Sequence, residues 1–297
     1  MTGPRGQRPF RLGFIGLGLM GVPMTNRLLQ RGWKVTVWNL EPERFDEVKE
    51  TGAVWADSPA AVRAASDIVL ICVLGDEAIQ SVCFGENGLS AAKGAHIVID
   101  FSTTDVELTK ELADNLDVAW LDCPVSGGPE AAEKGQLTMM AGGTEDLYDW
   151  VRPILRDLAG NMTLMGPLGA GQTTKLINQA IVGTNYVLMG EILAQVKASG
   201  IDGEKLAKAL TGGLADSQIL QRIFPQILAR DFDPPKGRAK QLNKDLQALR
   251  SFNERLGLNL PVQDTAIVQY RYYTEEGENG EKDSASVSLI YDRDAGE

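Results

Sequence analysis

Histidine occurs once in the 297-residue chain, as His96, and cysteine three times, as Cys72, Cys83 and Cys123. The histidine stands at the amino end of a strand-like run, His96 to Asp100, whereas chemistry in α/β sheets gathers at the carboxyl ends of strands. That position argues against histidine-based hydride-transfer dehydrogenases, and His96 reads as structural or solvated. An odd number of cysteines without a CxxC pair argues against a disulfide framework and against a metal site, and implies reduced thiols in a cytoplasmic protein. Cys123, with no partner histidine, reads as a small packing residue. Cations are scarce too: 29 Lys and Arg stand against 40 Asp and Glu, a net charge of -11. That field disfavours nucleic acid and anionic membranes as partners, and an anionic ligand would need a local cationic site. Long apolar runs are missing, since Ile68 to Leu74 is far too short to span a bilayer. Residues 1–9, MTGPRGQRP, hold no apolar h-region and are expected not to be a secretory signal.

What is present is an ordinary globular composition, 43% hydrophobic and 23% charged, in a length that suggests two domains. The stretch Gly166 to Gln179, GPLGAGQTTKLINQ, organises the chain. Its glycines break regular structure, and no proline follows Pro167 until Pro225, so the pattern predicts a helix from about Gln172 to about Ser199, roughly 40 Å long. Lys175, Asn178 and Gln179, spaced i, i+3 and i+4, share one face of its first turns. Taken alone, that ammonium with two amides is either a solvated polar stripe or a site at a domain junction.

Before this helix, strand-like and helical stretches alternate. Phe10 to Ile15 runs into Gly16-Leu17-Gly18-Leu19-Met20-Gly21, a helix closes at Arg31-Gly32, and Lys34 to Trp38 forms a second strand. GxGxxG between strand and helix fits dinucleotide binding. Gly16 makes the tight turn, Gly18 admits a pyrophosphate, Gly21 packs the helix on the strand, and the helix N-terminus attracts the anion. The second strand ends Trp38-Asn39-Leu40-Glu41, with Arg44 a turn later. Asn39 could bond a ribose hydroxyl or a 2′-phosphate, Glu41 would repel the phosphate, and Arg44 would attract it if folded back; the balance leans to NAD, with NADP as the alternative. Further strands are expected at Ile68 to Val73, His96 to Asp100, Val118 to Cys123, Leu137 to Ala141 and Met162 to Met165, giving a doubly wound sheet. Val73 closes the third strand, and Leu74 follows it. Asp100-Phe101-Ser102-Thr103 and Asp122-Cys123-Pro124-Val125-Ser126-Gly127-Gly128 form loops at carboxyl ends. Ser126-Gly127-Gly128 suits a carboxylate, though a plain turn has the same composition.

Beyond Gln172 strand signals nearly vanish. Helices are expected at Glu204 to Leu210, Gln218 to Ala229 (bent at Pro225), Ala239 to Leu256 and Pro261 to Tyr273, then a loop at Glu275 to Asp283, a short helix at Ser284 to Tyr291 and frayed final residues. Gly183 and Gly190 inside the long helix imply close approach of another helix or subunit. Lys240 and Lys244 lie one turn apart, where a lone helix lysine is usually solvent-exposed. The expected architecture is α/β: a Rossmann domain over 1–168, then an all-α domain over 169–297 built on the long helix.

GFIGLGLMG at 13–21, DCPVSGG at 122–128, GAGQTTKLINQ at 169–179 and KDL at 244–246 together resemble the β-hydroxyacid dehydrogenase family, over nearly the whole chain after residue 10. That group includes 3-hydroxyisobutyrate dehydrogenase, tartronate semialdehyde reductase and 6-phosphogluconate dehydrogenase. The resemblance implies a cleft between a Rossmann and a helical domain, Lys175 as catalytic residue, and Ser126, Gly127, Gly128, Asn178 and Gln179 as substrate-binding residues. It implies a cofactor site of Gly16 through Gly21, Asn39, Leu40, Val73, Leu74, Ser102, Thr103 and Lys244. Lys-x-x-Asn-Gln, Gly212 to Ser217 and Asp283-Ser284-Ala285 look most like the tartronate semialdehyde reductase branch. Gln179 stands where a second Asn is common, Cys123 where alanine is usual, Gly75 where proline is common, and Leu40 where NADP-using members carry an arginine.

The expected chemistry is reversible hydride transfer between a nicotinamide ring and the hydroxyl-bearing carbon of a small β-hydroxy acid, Lys175 moving the proton. Burial and the positive nicotinamide should make that amine less basic, and Asn178 would hold it. The Ser126-Gly127-Gly128 loop and Lys244 would anchor the carboxylate of a small anionic hydroxy acid or semialdehyde. A homodimer or homotetramer is expected. The rivals are an imine reductase, against which Lys175 counts, and a non-catalytic dinucleotide-binding protein, for which an intact Ser126, Lys175 and Asn178 would have no use.

Overall fold

The computed structural model describes residues 10–292; the expectations for residues 1–9 and for the final residues, 293–297, fall outside them. Nine strands form one sheet: β1 (Arg11–Ile15), β2 (Lys34–Trp38), β3 (Val54–Trp55), β4 (Ile68–Ile71), β5 (Ile97–Asp100), β6 (Ala119–Asp122), β7 (Val125–Ser126), β8 (Leu137–Gly142) and β9 (Ala159–Gly166). The order is β3-β2-β1-β4-β5-β6-β8-β7, with β9 on β8. From β3 to β6 every pairing is parallel. At β8 the sheet reverses, pairing antiparallel with β6 through Asp122 and Gly142, while β9 runs parallel to β8. The doubly wound sheet expected from the sequence is thus present with a reversed edge. β3 and β7, two residues each, are too short to leave a periodic trace.

Among the described residues, six α-helices accompany the strands: α1 (Gly21–Gln30), α2 (Pro59–Ala65), α3 (Asp76–Phe84), α4 (Val106–Leu116), α5 (Gly128–Lys134) and α6 (Glu145–Leu158). Each forms for local reasons. In α4, Val106, Thr109, Leu112 and Leu116 recur at helical spacing and are buried, while the Asp105 carboxylate caps the N–H groups of Glu107 and Leu108. β1 and β4 are buried along nearly their whole length, as strands covered on both faces must be. Two apolar clusters result, one holding Leu12, Phe14, Met24, Leu28 and Leu70, the other Ile15, Val69, Ile71, Ile79 and Val98.

Helix α7 runs from Ala170 to Ser199, about 45 Å at 1.5 Å per residue, and starts two residues before the sequence places it. It is followed by α8 (Gly203–Leu210), α9 (Gln218–Leu228, with Pro225 inside), α10 (Ala239–Arg255) and α11 (Pro261–Arg271). The chain divides into two compact units between Lys175 and Leu176, inside α7 rather than at its start. The second unit is helical, with a core of Met189, Leu193, Val196, Leu220, Phe224 and Ile227. Gly183 lies where a Cβ would press on the Leu246 side chain of α10 and Gly190 where it would press on Ser288 and Tyr291. Segments of the same unit therefore account for both glycines. The expected loop at Glu275 begins later, because Tyr272–Glu276 continues α11 as a π-helical turn whose Thr274 hydroxyl donates to Tyr270 O. Ser284–Tyr291 is helical as expected, of the 3-10 type. No helix among the described residues is long and apolar enough to cross a membrane.

Candidate active site

The glycine loop between β1 and α1 sits at the point where the chain winds outward from β1 to β2 on one side and β4 on the other, the crevice where such sheets bind ligands. Gly16 has φ +100°, and a Cβ there would overlap Cys72 O; a Cβ at Gly21 would overlap Gly16 O. A Cβ at Gly18 would meet nothing. The protein itself thus requires glycine at 16 and 21, whereas no atom of the protein requires it at 18. Helix α1 begins at Gly21 without a side-chain cap, leaving N–H groups for an anion. Leu17 is buried, Met20 half-buried and Leu19 exposed. The residues present fit a dinucleotide pyrophosphate.

The loop is held by residues of the following strand and turn. Asn39 Oδ1 accepts from Leu17 N–H at 2.7 Å, and Arg44 Nε donates to Leu17 O at 2.9 Å. Asn39 Nδ2 in turn donates to the Glu41 carboxylate at 2.8 Å. Asn39 is therefore buried and engaged with the loop. Arg44 has folded back as its position allowed, and its guanidinium also pairs with Glu47. Leu40 is exposed beside them.

The carboxyl ends of β4 and β5 are tied together. Val73 N–H donates to Ser102 Oγ at 3.0 Å, and Ser102 N–H donates to Asp100 Oδ1 at 2.9 Å. Ser102 is buried, Val73 and Thr103 are half-buried and Leu74 is exposed. Asp100 is fully buried, and its Oδ2 has no hydrogen-bond partner among the described residues. Burial pushes this carboxyl up to about 7, against the pull of the Ser102 hydrogen bonds.

Lys175 is placed from outside its own helix. Asp122, at the end of β6, turns its carboxylate into the start of α7 and accepts from Gly169 N–H and Gln172 N–H, both at 2.8 Å. Gly142 and Gly171 allow this, since a Cβ at either would crowd the carboxylate. Burial raises the Asp122 carboxyl above its ordinary range, with the backbone N–H donors pulling the other way. The Gln172 amide continues the tie, donating to Ser102 O at 2.9 Å and accepting from Thr104 N–H at 3.2 Å. Three residues on, Lys175 is buried and its Nζ donates to Val125 O at 3.0 Å. The structure thus brings Lys175 to the Ser126-Gly127-Gly128 loop. Ser126 is half-buried there, and Gly127 and Gly128, with φ +128° and +73°, turn the backbone into α5.

In the second unit, Asn178 Nδ2 donates to Gln179 Oε1 at 2.9 Å and Gln179 Nε2 donates to Asp245 Oδ2 at 2.7 Å. Lys244 Nζ lies 3.5 Å from Asp245 Oδ1, with its side chain partly exposed. Asp122 and Asp245 both stand inside motifs quoted from the sequence, but nothing in spacing alone says what a carboxylate there touches. His96 is exposed at the amino end of β5. Burial raises the thiols of Cys72, Cys83 and Cys123 above their ordinary range, so none is poised as a thiolate. No cluster of three His, Cys, Asp or Glu residues suited to a metal ion occurs among the described residues.

Residues 11–166 match the NAD-binding domain of 6-phosphogluconate dehydrogenase, and residues 169–290 the NAD-binding domain of NADP-dependent 3-hydroxyisobutyrate dehydrogenase. The chain is 39% identical over 272 residues to 2-hydroxy-3-oxopropionate reductase of Escherichia coli strain K12, covering 89% of this chain and 90% of that protein. It is similar in structure to Mycobacterium tuberculosis 3-hydroxyisobutyrate dehydrogenase, solved with L-serine, at a TM-score of 0.86 and 25% identity over 95% of this chain and 98% of that one. An imine reductase from Pseudomonas sp. aligns at a TM-score of 0.60 and 20% identity, over 96% of this chain and 100% of that one, a likeness of fold alone.

Proposed function

Because the chain belongs to the β-hydroxyacid dehydrogenase family and is an NAD(P)-dependent oxidoreductase, we propose that it interconverts a small β-hydroxy acid and its semialdehyde, with Lys175 as general acid and base. The first compound to offer is 2-hydroxy-3-oxopropionate (tartronate semialdehyde), the substrate named for the Escherichia coli relative. One observation carries the role of Lys175: a buried ammonium held 3.0 Å from Val125 O, beside the Ser126 loop.

The glycine loop Gly16 to Gly21 and the first turn of α1 would hold the pyrophosphate. Asn39, Leu40 and Glu41 would border the adenosine ribose, and Val73, Leu74, Ser102, Thr103 and Lys244 the nicotinamide half. Bound there, the nicotinamide supplies or accepts the hydride. Ser126 Oγ and the backbone N–H groups of Gly127 and Gly128 take the substrate carboxylate, which fixes the carbon presented for reaction. Lys175 gives its proton to the carbonyl oxygen during reduction and takes it back during oxidation, while Asn178 supplies the acceptor for the ammonium and Gln179 supports Asn178. Glu41, together with the aliphatic Leu40, favours NAD over NADP, since the carboxylate suits a ribose hydroxyl and repels a phosphate. The protein would work in the cytoplasm as a homodimer or homotetramer.

Absorbance at 340 nm, followed with NADH and NADPH against a panel of semialdehydes, hydroxy acids and a cyclic imine, tests the reading. We expect 2-hydroxy-3-oxopropionate to be reduced and Lys175→Ala to lose roughly 10²–10⁴-fold in kcat, the usual worth of a positioned proton donor. NADH affinity, read by fluorescence, should stay within about twofold, because the amine serves the proton and not the dinucleotide. Near-normal kcat in Lys175→Ala ends the proposed role of the amine, and a panel without turnover ends the proposed reaction.

A further inference from the structure

The orientation of a side-chain amide is usually an assignment from its neighbours. Here the chemistry of one neighbour decides it. A carboxylate only accepts hydrogen bonds. Asp245, buried on α10, therefore requires that Gln179 turn its Nε2 toward it, and Gln179 does so at 2.7 Å. The Gln179 oxygen is then left at the opposite end of the amide, where Asn178 Nδ2 donates to it at 2.9 Å. With its nitrogen committed to Gln179, Asn178 turns its own Oδ1 away as an acceptor. The length of Gln179 matters: an asparagine at this position is one methylene shorter and would fall short of α10.

We propose that Asp245 is a positioning residue, which through Gln179 fixes the Asn178 amide so that it offers an oxygen, not an N–H, to the reacting group. This rests on the proposed function, in which Asn178 serves as acceptor for an ammonium, a group with three donors and no acceptor. Asp245 stands in the KDL motif, but spacing alone does not say that it meets Gln179. Both oxygens of the Asp245 carboxylate face donors, Oδ2 the Gln179 amide at 2.7 Å and Oδ1 the Lys244 ammonium at 3.5 Å.

The test exchanges the polarity of the chain of amides. Asp245→Asn keeps volume and hydrogen-bonding capacity but removes the acceptor-only root, so both amides can turn over. Adding Gln179→Glu restores the order: an asparagine at 245 can donate to a carboxylate at 179, which again accepts from Asn178 Nδ2. With 2-hydroxy-3-oxopropionate and NADH as probes, Asp245→Asn should lower kcat about tenfold, the worth of one misdirected hydrogen bond. Its Tm should move little, and the double variant should recover most of the kcat. A second readout needs no turnover. In protein labelled with ¹⁵N at Asn and Gln side chains, the Asn178 and Gln179 amide protons should exchange slowly in the wild type. The Asn178 amide should be unprotected in Asp245→Asn and protected again in the double variant. If Asp245→Asn retains wild-type kcat and protection, or if the double variant is no better than the single one, the positioning role is wrong. If the wild type turns over nothing, the proposed reaction fails, and amide exchange alone then decides whether Asp245 orders the two amides.

Discussion

Gly18 and Gly21 stand three residues apart in one loop, yet alanine should affect them in opposite ways. At Gly21 a Cβ would overlap Gly16 O, so Gly21→Ala should cost about 1–3 kcal/mol of stability through overpacking, measured by urea denaturation. At Gly18 a Cβ meets nothing in the protein, so Gly18→Ala should leave the midpoint unchanged while weakening NADH binding by roughly tenfold or more, a loss of about 1.4 kcal/mol. Unchanged NADH binding in Gly18→Ala would mean that the open space at Gly18 is not where the dinucleotide lies. Asp100 offers a prediction in pH. Its carboxyl is raised by burial from 3.8 to about 7, so between roughly pH 4 and 7 the folded protein keeps a proton that the unfolded chain has released. The stability this residue contributes is fully present below about pH 4 and is lost as pH rises through 7, by on the order of 4 kcal/mol. Asp100→Asn does not titrate. The Tm difference between variant and wild type should therefore shift in favour of the variant from pH 5 to pH 8, and a difference that stays constant with pH would refute the raised carboxyl.

At the scale of an element, the start of α7 is fixed from outside the helix. Asp122 on β6 accepts from two of its first N–H groups, and Gln172 ties the same turn to Ser102 and Thr104. Asp122→Ala should destabilise the protein by about 1–3 kcal/mol for each buried N–H left without a partner. It should also lower kcat, because the turn that carries Lys175 loses its anchor. Denaturant melts and steady-state kinetics would check both. A variant with lowered stability and unchanged kcat would separate the anchor from the placement of the amine. The sequence announced the helix through its spacing and its freedom from proline, but not this anchor. Carboxylate and helix start lie 47 residues or more apart, a separation at which no periodicity links them.

For the whole molecule, the balance of -11 matters. An anionic hydroxy acid or semialdehyde approaches a surface of its own sign, so kcat/KM should rise, by about two- to threefold, as salt screens the field between 10 and 150 mM. Stopped-flow or initial-rate measurements at fixed pH would test this, and a fall with salt would mean that local cations such as Lys175 and Lys244 govern the approach.

The sequence alone determined the layered plan: alternation of short apolar strands with helices, then helices only, and a glycine loop in its strand–helix setting. These follow from side-chain period and from backbone freedom at glycine, which are properties of neighbouring residues. It also supplied the residues Lys175, Ser126, Gly127 and Gly128 as candidates, because motif spacing is local too. Only tertiary structure decided that β8 reverses the sheet, that Asn39 holds the loop through Leu17, that Asp122 anchors α7, and that Gln179 of α7 donates to Asp245 of α10. Each of these is a hydrogen bond between residues distant in the chain, and its direction depends on which group is donor and which acceptor once burial has excluded water.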